Sequence, residues 1–265
     1  MRKKRERKKK IGKIKKIILI FCVIIFVCGI SYIGIYFYND YKNKKANENI
    51  LPEIEIDVEE KEEIKIEETK TERMLQLEEL QKENNEIVAW LEIEGTNINY
   101  PILQADDNDY YLTHNYKKEK VNGGSLFLDK DFDLVNGSSN YLIYGHRMKN
   151  GTMFEDLMKY RKKSFYEEHK QIKFTTNEED CLYEILAVFY SRVYYKSEKN
   201  VFRYYFFVNA ENEQEYNDFV NNAKKVSIYD TGVDAEYGEQ LLTLSTCEYS
   251  QEDGRFVVVA KKVTE

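Results

Sequence analysis

Leu241-Leu242-Thr243-Leu244-Ser245-Thr246-Cys247 is an apolar, β-type run that ends in a cysteine. A polar stretch, Glu248-Tyr249-Ser250-Gln251-Glu252-Asp253-Gly254, separates it from a second run, Arg255-Phe256-Val257-Val258-Val259, which opens on an arginine. Far upstream, Asn140-Tyr141-Leu142-Ile143-Tyr144-Gly145-His146 is a third such run and ends in a histidine. Short apolar runs bounded by turn formers read as strands. Each of these three puts one reactive side chain at a strand end, where a rigid sheet can hold it toward solvent.

The chemistry open to such a trio is narrow. Cysteine attacks as the thiolate, and a free thiol is mostly protonated at neutral pH. A nearby histidine and arginine both favour the charged form. Arginine cannot serve as a base, so its use is to hold developing negative charge such as a tetrahedral oxyanion. Histidine can protonate a departing amine and later take a proton from an incoming one. Together they suggest acyl transfer through a thioester. Taken singly, each has an ordinary structural reading: a buried cysteine, a turn histidine, an edge arginine. His114 and His169 keep that reading, because three scattered histidines have no metal-ligand spacing.

Register supplies an internal test. A tight hairpin at Asp253-Gly254 would pair Arg255 with Glu252 and leave Cys247 five residues away, ~16 Å along the strand. The composition of residues 248–254 favours a loop instead, which brings Cys247 and Arg255 to adjacent strand ends. The catalytic reading requires that loop.

Charge and hydropathy divide the rest of the chain. Residues 1–16 carry eleven Lys/Arg and one Glu, or +10; the whole chain is −7, so residues 17–265 carry −17. An acidic folded part argues against nucleic acid as the main partner. Ile17 to Tyr38 contains no charged side chain. As a helix it reaches ~33 Å, enough to cross a bilayer. A cleaved signal peptide competes, but Ser31–Tyr38 offers a poor cleavage site and its aromatics suit an interfacial belt. The basic flank places the N-terminus in the cytoplasm and everything after residue 38 outside. The expected organisation is therefore a basic segment (1–16), a transmembrane anchor (17–38), an acidic stalk (39–71) and an extracellular domain (72–265).

Within the stalk, Ile54, Ile56, Val58, Ile64 and Ile66 alternate among charges, which reads as a solvated tether. Met74, Leu77, Leu80, Asn84 and Ile87 recur at helical spacing and predict a helix from about Thr71. Beyond Trp90 the expected strands are 97–103, 124–129, 141–144, 171–175 and 181–195, with the last two named above. Pro101 hints at an edge or bulge. A short helix or turn is expected near 109–112, a short helix between Met153 and Tyr160, and a longer helix at 211–225. Many short strands with few helices point to a mainly β barrel or sandwich. Cys22 and Cys28 lie in the span. Cys181 and Cys247 lie outside, where a bridge is chemically allowed, although a domain this large has core enough without one.

The three separated motifs, with Tyr144-Gly145-His146-Arg147-Met148 ahead of Gly151-Thr152-Met153-Phe154, resemble those of the sortases, and of class B sortases in particular, over residues 72–265. The resemblance implies a closed eight-stranded β-barrel with N-terminal helices and a helix before the last two strands that walls a substrate groove. It implies an extracellular, membrane-anchored, monomeric transpeptidase that cleaves a sorting signal after threonine and passes the protein to an amine of peptidoglycan. By position it makes Cys247 the nucleophile, His146 the acid/base and Arg255 the oxyanion clamp, with Ser245, Thr246 and Glu248 near the sorting signal. No cofactor or metal is implied; Asp129, Asp131 and Asp133 alternate without the rest of a calcium loop. A pilin-polymerising relative, a hydrolytic cysteine peptidase and a non-catalytic binding module remain as alternatives.

Overall fold

The computed structural model describes residues 2–48 and 70–263. The tether read around Ile54, Ile56, Val58, Ile64 and Ile66 lies outside the described residues. The chain divides into two units, one up to Lys45 and one from Ala46 onward.

The described residues of the first unit lie in one helix, α1 (Arg2–Glu48). Within it Ile18–Lys42 is long and apolar enough to cross a membrane, with a mean hydropathy of 2.9 and none of that window buried. The helix runs on past Tyr38 into the segment read as stalk. Residues 39–48 contain no Gly or Pro to stop it, and three lysines, an alanine and a glutamate offset three asparagines and an aspartate of weaker helix propensity.

The second unit contains eight strands: β1 (Ile87–Glu92), β2 (Asn99–Leu103), β3 (Leu126–Leu128), β4 (Asn140–Gly145), β5 (Gln171–Thr175), β6 (Asp180–Arg192), β7 (Leu241–Cys247) and β8 (Gly254–Lys262). They close into a barrel in the order β1-β2-β3-β4-β7-β8-β6-β5. β2–β3 and β4–β7 are parallel, and the other neighbouring pairs are antiparallel. Closure leaves no strand edge to attract a foreign strand. Buried side chains from all eight strands merge into one apolar cluster.

Helices decorate the barrel. α2 (Glu72–Glu83) starts where Thr71 Oγ1 accepts the Met74 N–H, and it buries Met74, Leu77 and Leu80. It packs on β1, where the Arg73 guanidinium sits 4.7 Å from the Trp90 ring centre and bonds Glu92. Asn84 ends it in extended backbone, spending its side chain on Tyr111 Oη, the Tyr116 carbonyl and the Glu86 N–H. The helical spacing therefore claims two residues too many: Asn84 is the extended C-cap and Ile87 opens β1. α3 (Lys163–Glu168) follows a 3₁₀ segment, Asp156–Arg161, which replaces the single helix expected at 153–160. α4 (Glu213–Val226) is capped by Asn212, carries acids in its first turn and lysines in its last, and buries Tyr216, Phe219, Val220 and Ala223 at helical spacing.

Other departures have local causes. β3 is shorter than 124–129 because Gly124 has φ +54°, outside strand geometry. Pro101 is an internal position, not an edge. It pairs with Trp90 on one side, next to a bulge between Ile87 and Ala89 of β1, and the β2–β3 ladder begins only with Ile102 opposite Leu126, so no ladder needs the missing N–H.

β7 is buried along its length up to Cys247. Thr243, Ser245 and Cys247 share one face at a spacing of two, and the β6–β7 connection covers that face. Tyr204 Oη meets Ser245 Oγ at 2.7 Å, and Thr243 Oγ1 donates to Asn140 Oδ1 at 2.9 Å. Asn140 Nδ2 in turn donates to the Phe207 carbonyl at 2.7 Å. Asn140→Ala would strand two buried polar groups, each costing about 1–3 kcal/mol. A denaturant titration should find the variant destabilised by roughly 2 kcal/mol or more. Wild-type stability would show that these bonds hold nothing.

Candidate functional site

β4 and β7 run parallel and stay in register to their ends, where Gly145 pairs with Thr246. The next residue on each strand is His146 and Cys247 respectively. β8 runs the other way and begins there, with Arg255 paired to Cys247. Strand neighbours lie ~4.8 Å apart, so the imidazole, thiol and guanidinium stand in one row across three adjacent strands. The 248–253 loop that the sequence reading required is present, and the tight hairpin is not.

The loop is held from several sides. Glu248 N–H donates to Gly254 O, Gly254 N–H to Gln251 O, and Val193 N–H to Asp253 O. The Glu248 carboxylate accepts from both the backbone and the hydroxyl of Ser250. Burial works against its charge, but the Ser250 bonds, the Tyr249 N–H and the Arg147 charge outweigh it and hold the carboxyl below its usual range. Arg147 bonds Glu155 at 2.9 Å and lies 5.5 Å from the Tyr249 ring, whose hydroxyl donates to Arg147 O. The loop after Cys247 is thereby joined to the loop after His146.

His146 is fixed by the main chain. Its Nε2 lies 2.9 Å from Leu112 O. A carbonyl can only accept, so Nε2 carries a proton and Nδ1 is left to exchange one. Behind the ring, the His146 carbonyl accepts from Phe154 N–H at 2.9 Å. Among the described residues Arg255 bonds main-chain oxygens, those of Asp253 at 3.2 Å and Gly254 at 2.9 Å. It forms no ion pair among the described residues, so its charge is open to an anion. Cys247 is half-buried and a free thiol, as is Cys181; there is no bridge between them.

These three residues line a cleft of about 280 Å³. β7 adds Ser245 and Thr246, β4 adds Tyr144 and Gly145, and the β2–β3 connection adds Asn108, Asp109 and Leu112. Val193, Tyr204 and Tyr205 close the other side. The cleft has a polar frame. Buried Asp129 accepts from Asn108 Nδ2 at 3.0 Å and Tyr144 Oη at 3.1 Å. Burial first, and for Tyr144 the Asp129 charge, push the Tyr144 and Tyr204 phenols far above their ordinary range, so both stay protonated.

Of the site residues expected from sequence, His146, Cys247, Arg255, Ser245 and Thr246 come together in the cleft. The Thr246 hydroxyl is turned to Gly145 O at 2.8 Å, tying β7 to β4. Glu248 is buried in its own loop and is not part of the cleft lining. The helix expected to wall the groove is α4, yet none of its residues lines the cleft; the preceding 3₁₀ segment, Tyr204–Phe206, takes that place. That segment carried a signal, its run of aromatics. Leu112 carried none, since it acts through a carbonyl. No group of three or more acidic, histidine or cysteine side chains suited to a metal occurs among the described residues.

A sequence profile described as Sortase domain matches residues 91–263. The chain belongs to the sortase family. It is 39% identical to Sortase B of Listeria monocytogenes over 193 residues, covering 71% of this chain and 74% of that protein. Sortase B of Staphylococcus aureus is 36% identical over 188 residues, covering 70% and 74%. Among solved structures, sortase B of B. anthracis superposes with a TM-score of 0.69 at 34% identity, covering 86% of this chain and all of that one. The Staphylococcus aureus sortase B–substrate complex gives 0.64 at 34% identity, covering 72% and 86%. The chain is a class B sortase by these relatives, a closed-barrel cysteine transpeptidase.

The depressed Glu248 carboxyl fixes a sign for pH. Its stabilising bonds are fully made above the unfolded value of ~4.3 and are lost as pH falls through the lower folded value. The melting-temperature gap between wild type and Glu248→Gln should be widest near neutrality and close on acidification below about pH 4. A gap that is constant with pH would mean the charge contributes nothing to the loop.

Proposed function

We propose that this sortase cleaves a C-terminal sorting signal after threonine and transfers the protein to an amine of cell-wall peptidoglycan. The observation that carries the reading is the row His146–Cys247–Arg255 set by two strand pairings. Nδ1 of His146 takes the Cys247 S–H proton, and the thiolate attacks the threonine carbonyl carbon, forming a C–S bond and a tetrahedral oxyanion that Arg255 stabilises. Nδ1 of His146 then gives its proton to the leaving amine as the C–N bond breaks, which leaves a thioester and a neutral imidazole. An incoming amine attacks the thioester, His146 takes its proton, a new C–N bond forms, and the thiolate departs.

Ser245, beside the thiol and bonded to Tyr204, is suited to touch the peptide. Thr246 and Glu248 serve recognition by holding the strand pair and the loop on which Cys247 and Arg255 ride. Ile18–Lys42 of α1 is the single-pass anchor. The basic N-terminus stays in the cytoplasm, and the barrel domain from residue 72 works outside as a monomer, where both substrates meet the membrane face.

Cys247→Ala should abolish transfer, and incubating the wild-type chain with a sorting peptide should yield a covalent adduct readable by intact mass. Arg255→Lys should lower kcat by about 10²–10³-fold, because an ammonium cannot reproduce the guanidinium geometry. Supplying excess wall-type amine should divert the thioester to an amide product. If water resolves it regardless, the chain is a hydrolase; if only a pilin lysine is accepted, it is a polymerase. A Cys247→Ala chain with full transfer would overturn the mechanism.

A further inference from the structure

We infer that Gly124 is a positioning residue for His146, acting through the Leu112 carbonyl. The inference rests on the proposed proton-carrying role of His146. Leu112 closes a 3₁₀ turn, Tyr110–Leu112, in which Leu112 N–H donates to Asp109 O and Thr113 N–H to Tyr110 O. The carbonyl that follows holds His146 Nε2. Gly124 packs directly beneath this turn. A Cβ built at Gly124 would lie 2.2 Å from Tyr111 O, 2.6 Å from Leu112 O and 2.7 Å from Leu112 C. All three are main-chain atoms, so no side-chain rotation relieves the overlap. The backbone of residue 125 closes the contact, with Ser125 N–H donating to Tyr111 O at 2.9 Å.

The turn cannot simply retreat. The Tyr111 ring is buried, and its hydroxyl donates to Glu86 and accepts from Asn84 Nδ2 at 3.1 Å. Pressed from one side and anchored on the other, the turn must tilt, and the carbonyl that moves is the one on His146. A hydrogen bond weakens steeply with lost distance and angle. Without its acceptor, the ring has no reason to keep the proton on Nε2, and the tautomer with Nδ1 free loses its advantage. A misplacement of about 1 Å can cost about 10²-fold in rate.

The test uses the full chain in detergent micelles, with ¹⁵N-labelled histidine; only three histidines contribute signals, and His146→Ala assigns the one of interest. Gly124→Ala should lower kcat for peptide transfer by about 10²-fold with KM nearly unchanged, distort the pH–rate profile, and shift the His146 ring nitrogens away from the Nε2–H pattern. Gly137→Ala is the control for backbone strain alone, since Gly137 has φ +76° but open space around it. It should lower the melting temperature while leaving kcat and the ring signals as in wild type. Should Gly124→Ala fail to fold, Tyr111→Phe, which frees the turn from Glu86 and Asn84, should move the same readouts in the same direction and less far. A folded Gly124→Ala, or failing that Tyr111→Phe, with wild-type ring shifts and kcat overturns the inference. If His146→Ala itself retains full transfer, the proton-carrier reading falls instead, while the ring shifts still judge the positioning.

Discussion

The site depends on the parallel pairing of β4 with β7. Six consecutive residue pairs, Asn140–Leu241 to Gly145–Thr246, hold the two strands in step. A slip of one residue would flip alternate side chains to the wrong face. It would also offset the imidazole from the thiol by a strand step of ~3.3 Å. The pairing is protected by burial, since Leu142, Ile143, Leu242 and Leu244 are sealed in the core. It is also locked by two polar bonds at its ends, Asn140 with Thr243 and Thr246 with Gly145. Core packing and catalytic geometry are in this sense one constraint.

β8 completes the arrangement through a different device. An antiparallel partner joined by a two-residue turn would have carried Arg255 out of reach, so the chain uses a longer loop and braces it. Glu248, buried and charged, is the internal strut of that loop, and Arg147 with Tyr249 joins it to the segment after His146. The guanidinium meanwhile rests on neutral carbonyl oxygens. Among the described residues no carboxylate pairs with it, so none has to be displaced before substrate charge develops beside it.

Much of this was legible in the sequence because strands with reactive ends announce themselves. The runs ending at His146 and Cys247 and beginning at Arg255 have the apolar density of strands covered on both faces, and the polar 248–254 stretch favours a loop over a tight hairpin. The errors share one cause, a local pattern overruled by a tertiary contact. Ile87 continues a helical spacing but is claimed by the barrel once Asn84 spends its side chain on Tyr111 and Tyr116. Gly124 looks like the start of a strand until its positive φ and the carbonyls above it are seen. Glu248 sits next to the nucleophile in sequence, yet its side chain turns inward. Asn108 belongs to the cleft through a contact from a distant element, the Asp129 carboxylate, which no spacing rule reaches.

The acceptor that steadies His146 belongs to the peptide unit of Leu112 and not to any side chain. Every amino acid supplies that oxygen, so the identity of residue 112 is released from the duty its position performs. Scanning that position with other residues would report on packing and register near silence about catalysis. A sortase built this way keeps its histidine orientation encoded in loop shape, and it can alter the chemical character of the cleft wall at 112 without touching its proton-transfer apparatus.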